Sequence, residues 1–114
     1  MAFHNNIPVF VIFWTLLRMS KAAELTALVK SPITISCRSN LAPTWHWSDS
    51  KGKNDRILAL AGVNPHPTLK NPRYSFTEKE SVYVIRITNL LSNDAGTFSC
   101  FGDETDKTVL NILR

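Results

Sequence analysis

From about residue 25 onward, apolar and polar residues alternate with a period of two, and clusters of turn residues interrupt the alternation. That is the signature of half-buried strands rather than helices. Residues 25–29 (LTALV) read as a first strand, stopped by Ser31 and Pro32. Residues 33–37 (ITISC) place Ile33, Ile35 and Cys37 on one face and Thr34 and Ser36 on the other. In residues 44–48 (TWHWS), Trp45 and Trp47 share a face and His46 opposes them. The polar turn SDSKGKND leads into a strand at 56–62. The following VNPHPTLKNPR holds Pro65, Pro67 and Pro72. Proline cannot donate to a ladder, so this stretch must be an edge or a loop. Strands at 74–77 and 81–88 flank a charged turn at Glu78–Glu80. In the second of them Val82, Val84 and Ile85 to Ile87 are apolar, and the adjacent Val84 and Ile85 blur which face points inward. Strands at 97–101 and 107–113, joined by the acidic turn GDETD, complete the set. About eight short strands and no helical period leave an all-β sandwich of one domain as the economical answer.

The N-terminal segment does not follow this pattern. Residues 7–17 (IPVFVIFWTLL) form an 11-residue run without a charge. A bilayer span takes ~20 residues, whereas the core of a secretory signal is about this long. Ser20, Ala22 and Ala23 follow, and cleavage after Ala22 would put Ser20 and Ala22 in the small-residue positions. The expectation is therefore a signal peptide at 1–22 and a β domain at 23–114. Arg18 and Lys21 lie after the apolar run, where a signal usually carries its charge before it. An uncleaved anchor and a buried helix are the alternatives.

Removing that segment changes the charge. The whole chain has 13 Lys and Arg against 9 Asp and Glu, and the loss of Arg18 and Lys21 leaves 11 against 9, a net +2. So small an excess does not call for nucleic acid. Lys51, Gly52, Lys53 and Arg56 cluster, but Asp49 and Asp55 are interleaved with them, as in a solvated hairpin. No span or hydrophobic tail follows the last strand before Arg114, so the mature chain is expected to cross no membrane.

Two cysteines, Cys37 and Cys100, have 62 residues between them and no CxxC or Cys/His cluster near them. No metal site or cofactor is expected. In a secreted chain two cysteines most simply form one disulfide, and closing so long a loop contributes roughly 4 kcal/mol on the chain-entropy account. Catalysis finds no support either. The mature segment has two histidines, His46 and His66, no G-x-S-x-G and no recognisable acid pair. No Asn begins an N-x-Ser/Thr acceptor, so N-glycosylation is not expected.

Cys37, Trp47 and Cys100, together with DAGTFSC and the preceding YVIRITNL, resemble the immunoglobulin superfamily over residues 24–114. The resemblance implies a sandwich whose disulfide joins strands B and F, with the strand C tryptophan packed against it. Either tryptophan of WHW could hold that place. The spacing to the next strand favours Trp47, with Trp45 at an inward position usually held by an aliphatic residue. The 34 residues between Trp47 and Val82 leave room for C′ and D strands, which implies a V-type or intermediate (I-type) domain. Further expectations are an ion pair of Arg73 with Asp94, a corner glycine at Gly96, and Phe98 in the core where the family usually has tyrosine. The Asp-x-Gly-x-aromatic-x-Cys run is thus a fold signature. Phe101–Gly102 directly follows the cysteine and the last strand has no glycine, so the joining motif of rearranged antigen receptors is missing.

In this fold class function depends on the site. If Trp47, Leu58, Leu60 and Cys100 point inward, alternation puts His46, Ile57, Ala59, Ser99 and Phe101 on the outer face of the C′–C–F–G sheet. V-type domains meet one another through such faces. The expected partner is an extracellular or cell-surface protein, another Ig domain among them, and weak homodimerisation fits the same face. Phe101 is the natural anchor, unless it folds back over the core edge. The reading is a secreted recognition domain. The alternatives are a fragment or short isoform of a larger Ig receptor, or a non-signalling antagonist or structural module.

Overall fold

The computed structural model describes residues 22–114, so the expected signal segment lies, but for Ala22, outside the described residues. Nine strands follow in chain order: β1 (Ala22–Leu28), β2 (Ile33–Arg38), β3 (Thr44–Ser48), β4 (Asp55–Leu60), β5 (Asn64–Pro65), β6 (Tyr74–Lys79), β7 (Val82–Ile87), β8 (Gly96–Phe101) and β9 (Thr105–Leu113). They form a six-stranded sheet in the order β1-β9-β8-β3-β4-β5 and a three-stranded sheet in the order β2-β7-β6. Every pair is antiparallel except β1 with β9, which is parallel. The Cys37–Cys100 disulfide links β2 to β8, and so one sheet to the other, across 6.5 Å between Cα atoms. This is an immunoglobulin-like β-sandwich with its single disulfide between the B and F positions.

The inward rows carry the core. Ile35 and Cys37 from β2, Trp45 and Trp47 from β3, Ile85 and Ile87 from β7, Phe98 and Cys100 from β8, and Leu110 from β9 are buried together with Leu90. Burying each large apolar side chain of this set stabilises by about 1.5–3 kcal/mol before the entropy of ordering is set against it. The blur at Val84 and Ile85 resolves here. Ile85 and Ile87 face inward, with Tyr83 partly buried against the same core, and Val84 takes the opposite face with exposed Arg86. The tryptophan beside the disulfide is Trp45, not Trp47 as the spacing to the next strand suggested. Trp45 lies directly across from Cys100 in the β3–β8 register, and Trp47 across from Phe98.

Turn chemistry sets two element boundaries that the sequence pattern leaves open. Strand β6 continues through Lys79, so the charged turn expected at Glu78–Glu80 contracts to Glu80 and Ser81. Both have positive φ, 52° and 66°. That conformation matches the right-handed twist of the flanking strands but costs an ordinary residue ~1–2 kcal/mol. The Glu78 carboxylate accepts the Ser81 N–H at 3.1 Å and ties the turn down. At the other boundary, the proline-rich stretch gives only the two-residue border strand β5, which ends at Pro65.

Strand β4 corrects the expected alternation. Trp45 pairs with Ala59, but His46 pairs with Ile57, so Leu58 is an extra residue opposite no partner. At such a bulge two successive residues can face the same way and the phase is reset beyond it. Leu58 and Ala59 are both buried in the core, and Leu60, expected inward, is 44% exposed. Ala59 therefore leaves the outer face and Leu60 joins it.

Candidate recognition surface

The corner before β8 carries the densest polar cluster among the described residues. A 3₁₀ turn, Ser92–Asp94, delivers the Asp94 carboxylate beneath the sandwich, where it is 4% exposed. Arg73 meets it with two nitrogens, Nη1 to Oδ2 at 2.7 Å and Nη2 to Oδ1 at 3.0 Å. The Tyr74 hydroxyl donates to Oδ1 at 2.8 Å and the Leu91 N–H to Oδ2 at 2.7 Å, so each oxygen accepts two bonds. Burial by itself would raise the pKa of this carboxyl. The hydrogen bonds from Arg73, Leu91 and Tyr74 outweigh burial and hold it below the usual carboxylate range. For the Tyr74 phenol, burial followed by the neighbouring Asp94 charge raises the pKa. Arg73 also donates to the Asn89 carbonyl at 3.1 Å.

Other groups complete the corner. The Trp47 indole Nε1–H donates to the Asp94 carbonyl at 3.2 Å. Gly96 sits beneath that ring with φ 152°, and a Cβ there would strike the Ser48 carbonyl and the indole. Arg56 stacks over the other part of Trp47, its guanidinium carbon 4.7 Å from the ring centroid. Phe98 is fully buried and has no hydroxyl to donate. Tyr74, on the facing sheet, supplies the phenolic hydroxyl at this end of the sandwich. Sequence reasoning missed Tyr74, whose only signal was its position next to Arg73. The Asp94 carboxylate is fully engaged within the cluster. The corner is a fastening between the two sheets.

The remaining polar clusters are local. Asp49 accepts the Lys53 N–H at 2.8 Å, the Lys51 N–H at 3.2 Å and the Asn54 amide at 2.8 Å. The basic run at 51–56 is thereby folded around a carboxylate, and its Arg56 is engaged with Trp47. His66 Nδ1 accepts the Thr68 N–H at 3.2 Å within the proline-rich loop. At the opposite end of the sandwich, the buried Ser39 hydroxyl lies 2.9 Å from Asp103 Oδ1 and accepts the Asp103 N–H at 3.3 Å. That pair binds the β2–β3 loop to the β8–β9 turn. Among the described residues no group of three or more His, Cys, Asp or Glu could hold a metal ion, and no helix is long and apolar enough to cross a membrane.

The outer face of the six-stranded sheet is assembled from β3, β4 and β8. His46 pairs with Ile57 on one side and Ser99 on the other, so these three form one row across the strands. His46 and Ile57 are half-buried, and Phe101 is 42% exposed, which excludes the arrangement in which it covers the core edge. Its ring meets the His46 imidazole edge-on, 5.1 Å between centroids. Two of the five expected contact residues do not present themselves. Ala59 is fully buried because of the bulge. Ser99 does lie on the outer row, but between His46 of β3 and Lys107 of β9 its short side chain is 7% exposed. What remains is a shallow apolar surface of His46, Ile57, Leu60 and Phe101. The sequence matches no protein-family model and no curated protein.

Proposed function

We propose that this chain is an extracellular recognition domain of V-like immunoglobulin type, and that it binds a protein partner through the outer face of its six-stranded sheet. Strands β4 and β5, added beside β3, support the V-like assignment. The disulfide favours an oxidising compartment. The carrying observation is Phe101, a large aromatic left exposed on a sheet face and flanked by His46, Ile57 and Leu60. Aromatic anchors in such settings dominate binding energies. The loops at that end are short and tied to each other through Ser39 and Asp103, which suits contact with a flat surface.

The test uses the protein as bait against cell-surface ectodomains, with self-association followed by sedimentation. Phe101→Asp and Ile57→Asp should abolish the contact. A charge left unpaired against an apolar surface costs several kcal/mol, against ~8 kcal/mol for a micromolar complex. Both side chains lie outside the core, so melting temperatures should change little. Thr77→Asp, exposed on the three-stranded sheet, serves as control. Normal binding by Phe101→Asp would remove this reading.

A further inference from the structure

A second surface is defined by backbone rather than side chains. Among the described residues, strand β2 borders the three-stranded sheet, with β7 on one side and no strand on the other. The direction of its backbone groups follows from the register. The Ser39 N–H donates to the Ser81 carbonyl at 2.9 Å, just beyond the Arg38–Val82 pair. In an antiparallel pair alternate residues direct both polar groups to the same neighbour. Ile33, Ile35 and Cys37 therefore bond β7, and Thr34, Ser36 and Arg38 turn their N–H and C=O groups to the open side.

Open edges are templates for another strand, and proteins usually blunt them with charge, proline, bulges or brevity. Two of the other borders show such devices. Strand β5 has two residues and a proline, and β6 ends in Glu78 and Lys79. Strand β1 is exposed along nearly its whole length. Strand β2 pairs with β7 without a bulge, has no proline within it, and carries one charge, Arg38, at its end. It is also rigid. Ile35 and Cys37 are buried, and the disulfide holds the strand to the opposite sheet. A preorganised template pays little ordering cost on binding.

Charge selects the occupant. Beside the open edge, Arg38 and Arg86 are exposed on the outer row of the sheet, with no carboxylate paired to either among the described residues. Arg38 is on the edge strand itself, and Thr34 separates Arg86 from the open side. A second copy would bring the same cations against them, whereas acidic side chains would be drawn in. On the other row, half-buried Ile33 offers an apolar contact. We propose that β2 is a strand-addition site for an extended peptide segment of another protein, acidic on the side over Arg38 and Arg86 and apolar on the side that meets Ile33.

The probes are a blocked peptide of alternating Glu and Val, and its counterpart with Lys for Glu. They are added to isotopically labelled protein purified from cells expressing the full chain, and amide exchange is read residue by residue. The Glu peptide should slow exchange at Thr34, Ser36 and Arg38, and the Lys peptide should not. Ser36→Pro deletes the central outward donor without removing a bond to β7, and should weaken binding at least about tenfold, or 1.4 kcal/mol. Arg38→Glu, at an exposed position, should transfer the preference to the Lys peptide, and it decides the matter alone if Ser36→Pro fails to fold. The proposal is overturned if the Glu peptide gives no protection at millimolar concentration, or if both peptides protect equally. It is also overturned if these amides are already slow without peptide, because a second copy or residues 1–21 then fill the edge.

Discussion

Asp94→Ala is expected to remove about 3–5 kcal/mol of stability, the loss typical of breaking a buried ion pair by deleting one member. The substitution strands more than one group. Arg73, the Tyr74 hydroxyl and the Leu91 N–H all lose their acceptor at once. Stability should also depend on pH through this carboxyl. Its folded pKa lies below the unfolded value of ~3.9, so its contribution is complete above that value and disappears as pH falls through the lower folded one. Urea denaturation at neutral pH and at steps below about pH 4 measures both effects. The wild type should lose stability in acid by an amount that Asp94→Ala lacks. Parallel acid profiles for the two proteins would show that the cluster contributes little.

Replacing Cys37 and Cys100 together by alanine should cost about 4 kcal/mol, because the disulfide closes a long loop in the unfolded chain. It is also the covalent link between the two sheets, set beside Trp45 in the fully packed centre. For a domain of this size each kcal/mol shifts the midpoint by about 4–8 °C, so calorimetry should record a fall of about 20 °C. A fall of only a few degrees would mean that apolar packing between the sheets holds them without help from the bridge.

The strands around the core were legible because one face of each is buried, and alternation in ITISC or TWHWS records that asymmetry directly. Pro65 likewise announced a border position, since proline cannot serve a central ladder. Elsewhere the pattern was silent for physical reasons. Ile57 to Leu60 is an unbroken apolar run, compatible with either phase. The bulge that buries Ala59 and exposes Leu60 is set by how β4 meets β3, which no local pattern contains. Tyr74 reads as an ordinary strand residue until the fold brings Asp94 to it from 20 positions away. Ser99 alternates outward as expected, yet the strands on either side of it cover its small side chain. Among the described residues, β1 pairs in parallel with β9 and leaves the edge of β2 open, and that too is a property of the assembled sheets.

The central claim is that the outer face of the six-stranded sheet, not its neighbour, meets the partner. Amide hydrogen exchange of the domain, alone and saturated with the ectodomain it captures, addresses this most directly. The account predicts slowed exchange along β3, β4 and β8, concentrated at His46, Ile57, Leu60 and Phe101, with Thr77, Val84 and Arg86 unchanged. Slowing confined to β6 and β7, with β3, β4 and β8 unaltered, would contradict it.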